Sequence, residues 1–406
     1  MNRVVITGLG CISPIGSTVP DFRESLFAGR TGIAPIAPVE DAPDGNPGVR
    51  YSQSAQVFDF EPAQHLDSGV IAATNRNTQF AIVAARQAAQ QAHLRQHHQP
   101  GDIAIVMGCA CGGRSSEESQ VKNLYTRDAR AHPLTIVRTM SSAGASQISI
   151  DLGITGPTFD ISTACASATH AIGMAFHMVR SGMVTAAITG GHEAPLSFGF
   201  YRAWDSMRVV SPTRCKPFSS DRDGMTLGEG AAMLVLETLE SAQARNATIF
   251  AEIVGFGMSA DANHITQPQA EGAATAMRKA LADANASPND VGYINAHGTG
   301  TQANDATESA AIHQVFGAHG AHIPISSTKS LHGHAIGASG ALEALATVLG
   351  LHEGKLPQTA GVTTADPALN VDVILNEPRP TGPTIALSNS LAFGGLNAVI
   401  ALRTWQ

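Results

Sequence analysis

The sequence is short of aromatic residues, short of positive charge and without any long apolar run. Aromatics make up 5% of its 406 residues and charged residues 14%, against forty glycines. That balance excludes a β-sandwich composition and fits the tight turns and close helix–strand contacts of α/β proteins. Lys and Arg number 25 against 33 Asp and Glu, a formal net charge of −8. A general nucleic-acid binder needs the opposite sign, so that class is excluded. No window approaches the ~20 apolar residues that span a bilayer, so no membrane insertion is expected. The start, MNRVVITGLGCISPIG, lacks the apolar core and cleavage site of a signal peptide, which points to the cytoplasm. The five cysteines, Cys11, Cys109, Cys111, Cys165 and Cys215, are odd in number and fall in no zinc spacing. They are expected to be free thiols in a reducing compartment.

What is present is a regular alternation. Val- and Ile-rich runs recur at VVITG, IAIVMG, AAITGG, AAMLVLE, AEIVGFG and TIALSNS, with helix-period segments such as TQFAIVAARQAAQQAHL and GAATAMRKALADAN between several of them. Strands and helices in that order predict an α/β fold. The polar stretches 41–50 and 96–102, the second containing His97 and His98, read as surface loops and not as metal sites. ISTACASATHAIG (161–173) aligns without a gap on ISSTKSLHGHAIG (325–337), about half the positions being identical, and ITGLG (6–10) echoes IVGFG (253–257). These echoes predict two similar halves, 1–244 and 245–406, with the charged ESAQARNA as the crossover. Cys165 and Lys329 then occupy equivalent strand-to-helix junctions, and a site is expected where the halves meet.

Cys165 sits among Ala, Ser and Thr, so something must reach its sulfur. It precedes a segment with Ile172, Phe176 and Val179 at near-helical spacing. A thiol at a helix N-terminus feels unpaired N–H groups and the positive end of the dipole, both favouring the thiolate. NAHGTGTQANDATE places His297 among glycines and threonines, with Asp305 and Glu308 following; STKSLHGHAIGASGALEA offers Lys329 and His334 five residues apart. Imidazoles in such surroundings have little packing to do and are candidate catalytic groups. His170 and His332 read as structural.

TACAS, RDGMTLGEGA, NAHGTGT, KSLHGHAIGASG and NSLAFGGLN, in this order, resemble the β-ketoacyl-acyl-carrier-protein synthases of the elongating, two-histidine type. The resemblance runs nearly the length of the chain. It implies a thiolase-like fold, a duplicated five-layered αβαβα arrangement, and an acyltransferase that condenses malonyl-carrier with a cysteine-bound acyl chain, releasing CO2 and a β-ketoacyl carrier. Cys165 would be the nucleophile, and His297 and His334 would promote decarboxylation and steady the enolate. Lys329 would organise them with the Asp305/Glu308 cluster as its partner. The N–H groups of Cys165 and Phe393 would form an oxyanion hole, with the Phe393 ring as gate. Thr299 and Thr301 would hold the pantetheine arm. Asn295, Glu343, Ser388 and Asn389 match positions where some relatives hold a structural monovalent cation. No catalytic cofactor is implied beyond the 4'-phosphopantetheine that the acyl carrier protein supplies. The implied partners are that carrier and either a second copy or a chain-length-factor-like homologue; the alternative reading is that this chain is itself such a non-catalytic partner.

Three features depart from the pattern. The last loop reads AFGGL instead of GFGGT, so Ala392 and Leu396 are expected to stiffen the gate. Cys111 stands where many fatty-acid enzymes put a bulkier isoleucine at the acyl-pocket wall, leaving room for a longer, branched or unsaturated chain. Only Arg76 remains where relatives place several carrier-docking basic residues. Together these point to a specialised ketosynthase, akin to those of nodulation-factor, aryl-polyene or polyketide pathways.

Overall fold

The computed structural model describes residues 1–127, 130–382 and 384–405. Its largest sheet contains strands β1 (Val4–Ile12), β2 (Ile103–Gly108), β3 (Thr158–Ile161), β4 (Ala186–Glu193), β5 (Gly230–Thr238), β6 (Ala251–Ala260), β7 (Val291–Asn295), β8 (Pro324–Ser326), β9 (Asp372–Val373), β10 (Ile385–Ala392) and β11 (Leu396–Thr404). Their spatial order is β9-β8-β7-β10-β11-β6-β1-β5-β4-β2-β3. On one side β3 and β2, then β2 and β4, pair in parallel, while β4 and β5, then β5 and β1, pair antiparallel. The other side repeats the scheme with β8, β7, β10, β11 and β6. The two sets join through a short antiparallel contact, Val4 with Ile253, Val5 with Glu252 and Ile6 with Ala251.

Five layers result, as in thiolase-like α/β folds. Helix α1 (Arg76–Gln91) covers the outside of the first set and α3 (Ala270–Asp283) with α4 (Gln302–Phe316) the outside of the second, while α2 (Ser167–Ser181) and α5 (Ser339–Glu353) lie together between them. Inner strands buried on both faces read as continuous apolar runs; β4 is buried at every residue. Ile172, Phe176 and Val179 of α2 join Leu342, Leu345 and Leu349 of α5 in the central core. Phe80 and Ala84 of α1 build the first outer core, and Ala273 and Met277 of α3 the second.

The paired GLG and GFG segments, inside β1 and β6, have one cause. A Cβ at Gly10 would stand 2.0 Å from the Ala84 carbonyl oxygen, and one at Gly257 2.1 Å from that of Ala276. Each glycine lets an outer helix lie directly on its strand. The stretch expected as crossover forms a short helix, Leu239–Ala244, leading from β5 to β6. The surface reading of 96–102 needs correction at His98: it is buried, its Nδ1 at 2.9 Å from Thr185 Oγ1 and its Nε2 at 3.3 Å from Glu237 Oε2. A single apolar window could not reveal that a strand-borne glutamate waits for it. Among the described residues no helix is long and apolar enough to cross a membrane.

Candidate functional site at the junction of the two sheets

β3 ends at Ile161 and the chain turns sharply before α2. Ala164 takes φ +49°, a left-handed conformation that a small residue tolerates best and that non-glycine residues seldom adopt. Local bonds hold the turn: Thr163 N–H donates to Ser167 Oγ at 2.9 Å, and Ser167 Oγ donates to the Ala164 carbonyl at 2.7 Å. His170 contacts Thr163 Oγ1 at 2.9 Å, a bracing position consistent with a structural residue. Cys165 stands on this turn and is 6% exposed. The expectation of a thiolate formed by position alone is not met. Burial pushes the Cys165 thiol up to about 11, against the lowering effects of the Lys329 charge and of the N–H groups of Phe393 and Cys165 itself. Desolvation of the anion outweighs the stabilising groups, so the resting sulfur is a neutral thiol.

His334 arrives from the other set. After β8 the chain makes one helical turn, Lys329–His332, and reverses at Gly333, φ +69°. His334 N–H donates to the Thr226 carbonyl at 2.7 Å, and Gly228 N–H to the His334 carbonyl at 2.9 Å. The RDGMTLGEGA segment is thus the rail on which this histidine runs. Its Nε2 lies 3.2 Å from Cys165 Sγ and its Nδ1 2.7 Å from Ser339 Oγ. The His297 ring meets the His334 ring edge-on, centroids 5.5 Å apart. His297 follows β7 in a loop folded back on α4, its N–H and that of Gly298 donating to Glu308 at 2.8 and 2.9 Å. Gly300 N–H donates to Asp305 Oδ1 at 3.2 Å and Phe218 N–H to Asp305 Oδ2 at 2.8 Å.

Lys329 decides the state of His297. The ammonium has three protons and no acceptor; its partners are the His297 carbonyl at 2.7 Å, His297 Nδ1 at 3.2 Å, and Glu343 Oε1. With a cation donating to Nδ1, neutral His297 must carry its proton on Nε2. Burial, followed by the Lys329 charge, holds both His297 and His334 well below the usual imidazole range, so both rings are neutral. The partner expected for Lys329 is corrected: Glu343 on α5 pairs with it, while Asp305 and Glu308 accept backbone N–H groups and shape the His297 loop. Burial pushes Glu343 up to about 7, with Lys329 opposing.

Around Glu343, four buried oxygens have no hydrogen-bond partner among the described residues: Glu343 Oε2, Asn295 Oδ1, Ser388 Oγ and Asn389 Oδ1. Each is on a residue singled out in the sequence as a cation position. Asn295 and Ser388 pair across adjacent strands, and Asn295 Nδ2 donates to the Glu343 carbonyl at 3.3 Å. Unpartnered oxygens of this kind suit a hard monovalent cation.

Cys165, His297, His334, Thr299, Thr301 and Phe393 line one cavity of about 110 Å³. Thr299 and Thr301 lie with their hydroxyls 2.9 Å apart, and Thr301 caps α4. The Phe393 ring stacks on Trp204 with centroids 6.0 Å apart. Ala392 ends β10, buried and paired with Leu396, and the turn freedom is left to Gly394 and Gly395, φ +82° and +70°. Cys111 joins an apolar cluster with Trp204, Phe198 and Ile36. Arg76 is bound to Glu229 and to the Val57 carbonyl, so it offers little to an acidic partner. Sequence reading missed Ser339, Trp204 and the pairing of Glu343. Glu343 had a signal, since it lies one helical turn beyond Ser339 on the same face.

A thiolase-like α/β chain with a cysteine and two neutral histidines on one cavity, drawn from both strand sets, defines a class of acyl-transferring enzyme. The chain belongs to the beta-ketoacyl synthase family: the model of its N-terminal domain matches residues 1–242 and that of its C-terminal domain residues 250–363. It is 42% identical over 404 residues to nodulation protein E of Rhizobium sp. strain N33, covering 99% of both chains. It is 40% identical over 414 residues to 3-oxoacyl-[acyl-carrier-protein] synthase 2 of Staphylococcus aureus strain COL, covering 100% of this chain and 99% of the relative. Among solved structures, the ishigamide ketosynthase/chain length factor superposes with a TM-score of 0.94 at 34% identity over both full chains. A chain of the complex of a ketosynthase with its chain length factor from Xenorhabdus doucetiae superposes with a TM-score of 0.86 at 30% identity, covering 100% of this chain and 98% of that one.

Proposed function

We propose that this enzyme performs a decarboxylative Claisen condensation between a Cys165-bound acyl chain and malonyl-carrier, and that residues 1–244 supply the nucleophile while residues 245–406 supply both histidines. The observation that carries the reading is the 3.2 Å approach of His334 Nε2 to Cys165 Sγ with the His297 ring alongside.

In the first stage the neutral Cys165 thiol gives its proton to His334 Nε2 as sulfur attacks the acyl thioester, and the proton leaves with the carrier thiol. The N–H groups of Cys165 and Phe393, both facing the sulfur, bind the tetrahedral oxyanion. A covalent intermediate divides one difficult step into two. In the second stage malonyl thioester loses CO2, and its developing enolate oxygen accepts from His297 Nε2–H. The Ser339 hydroxyl can donate or accept, so it permits His334 either tautomer: base first, enolate donor afterwards. Such donors stabilise charge that exists mainly in the transition state. The carbanion then attacks the carbonyl of the acyl-enzyme and the C–S bond breaks, expelling the Cys165 sulfur, which takes up a proton to return to the thiol; the product is a β-ketoacyl carrier two carbons longer.

Phe393, stacked on Trp204, gates the cavity; Thr299 and Thr301 hold the pantetheine arm; Cys111 stands at the acyl wall. Asn295, Glu343, Ser388 and Asn389 would hold a monovalent cation, which would balance the buried charge behind Lys329 and leave the reaction to the side chains. The enzyme works in the cytoplasm with an acyl carrier protein. It assembles with a second copy or with a chain-length-factor homologue, through the face beside edge strand β3, where Tyr125, Ile136 and Ile150 are 82%, 72% and 73% exposed. An intact nucleophile argues against this chain being the non-catalytic subunit. The small Cys111 wall and the bound Arg76 support a specialised pathway over housekeeping fatty-acid synthesis. Mixing the protein with acyl carriers and weighing it intact tests the reading: an acyl adduct lost in Cys165→Ala supports it, and equal labelling of both proteins refutes it. Equal or better use of saturated medium chains than of polyunsaturated ones refutes the specialised pathway. Light scattering on the protein expressed alone separates a homodimer from a chain that needs a partner.

A further inference from the structure

The loop carrying Cys111 is held from behind by a carboxylate that the condensation does not use. Glu193, the last residue of β4, is fully buried, and its Oε1 accepts from the N–H groups of both Ala110 and Cys111, the latter at 2.9 Å. Cys109 ties the same loop to the nucleophile's strand, its N–H donating to the Ile161 carbonyl at 3.2 Å while its sulfur accepts from Gly112 N–H at 3.3 Å. On the far side lies the turn that follows His334: a Cβ on Gly337 would stand 2.7 Å from Ala110 N and 2.7 Å from Glu193 Oε1. One carboxylate therefore sits where the Cys111 loop and the His334 turn meet, both chain segments close against it. Its other oxygen has no partner among the described residues. Beside it His192, wholly buried, lies 3.7 Å from Asp160 Oδ1 and 3.4 Å from Asn77 Nδ2. The ring fits because position 144 is glycine; a Cβ there would stand 2.2 Å from His192 Nε2. The wall is thus backed by a polar cluster instead of hydrocarbon.

We infer that Glu193 is the positioning residue of the acyl-pocket wall: by holding the Ala110 and Cys111 N–H groups it fixes where the Cys111 side chain stands, and so sets which acyl chains the enzyme accepts. The inference rests on the ketosynthase reading and on the place of Cys111 in it. Hydrophobic pockets discriminate by fit, about 10- to 200-fold per methylene group, so a small shift of the wall reads out as a changed chain preference. A carboxylate accepting two N–H groups holds them more firmly than a neutral amide, which makes Glu193→Gln the mild perturbation.

The experiment measures kcat and KM for acyl loading over short, medium and long acyl carriers, in the wild type, Glu193→Gln, Cys111→Ile and the double variant. Expected is a change of about tenfold in the long-to-short ratio of kcat/KM for Glu193→Gln, carried by KM, with the shortest chain used within about twofold of wild type. Glu193 acting through Cys111 also predicts that the two substitutions are non-additive in that ratio. A uniform loss across all chains, or strict additivity, overturns the inference. Glu193→Asp, which keeps the carboxyl group but retracts it by one carbon, serves if Glu193→Gln does not fold and is expected to change the same ratio. A wild type that takes up no acyl group overturns the ketosynthase reading as well; a wild type that loads while the ratio stays fixed overturns the inference alone.

Discussion

The two strand-to-helix junctions are built alike and used differently. Each follows the outer parallel strand of a five-strand set and leads into a central helix of fifteen residues, α2 or α5. At the first, three residues separate the end of β3 at Ile161 from Cys165, and α2 begins two residues later. At the second, Lys329 holds the matching place, but α5 does not begin until Ser339. The difference is an insertion of eight residues in the second half, and it contains His332 and His334. The first junction is tight enough to set a sulfur at a helix entrance. The second is long enough to carry a lysine back to His297 and a histidine forward to that sulfur.

The largest expected effect lies at the first junction. Cys165→Ala removes the acyl adduct completely, measured by intact mass, whereas substitutions at the second junction leave a sulfur to be labelled. Next is Lys329→Met, which removes the cation that opposes burial at Glu343, so its carboxyl is pushed up further and takes up a proton. Leaving that buried group without its partner costs about 1–3 kcal/mol, read as a lowered urea midpoint, and adding Glu343→Gln should restore part of it. The copied HAIG sequences supply a sharper comparison. His334→Asn should lower the condensation rate by about 10²–10³, the cost of one enolate donor. His170→Asn should change the rate by no more than about threefold and cost about 1 kcal/mol of stability through its lost bond to Thr163. Comparable rate losses in both would show that the two positions are functional equivalents. The paired glycines test the symmetry itself: Gly10→Ala and Gly257→Ala should each destabilise by about 1–3 kcal/mol. Smallest is Thr301→Ala, with about 1 kcal/mol lost from the α4 cap and a raised KM for the carrier.

The pH dependence distinguishes the structure from the helix-dipole argument. Only the thiolate is alkylated, and a thiol pushed up to about 11 is ionised in about one molecule per thousand at pH 8. Alkylation of Cys165 should therefore climb about tenfold per pH unit from 7 to 10. A plateau below pH 8 would show a thiolate formed by position.

Fold class was legible because alternating β-rich and helix-period runs cannot bury their apolar residues except against one another, and because the glycine echoes mark equal helix–strand contacts in both sets. The ungapped repeat matched Cys165 to Lys329 correctly, since both follow equivalent strands. It then matched His170 to His334 wrongly: His170 lies in the first turn of α2, and His334 lies in the insertion before α5. An alignment without a gap cannot show an insertion. The Lys329 partner was misplaced for a related reason. Asp305 and Glu308 stand close to His297 in sequence, but their oxygens are taken by loop N–H groups, and only three-dimensional packing brings Glu343 from the central helix to the ammonium. The neutral state of Cys165 was equally invisible, because the cost of burying its anion depends on the walls around it.

Single-turnover condensation tests the central claim most directly. Enzyme carrying one acyl group on Cys165 is mixed with malonyl-carrier, and carrier-bound products and CO2 are measured together. The account predicts one CO2 and one chain two carbons longer for each acyl group lost, with the yield collapsing in His297→Ala although that variant still holds its acyl group. Release of the acyl chain as free acid, or undiminished condensation without His297, would contradict it.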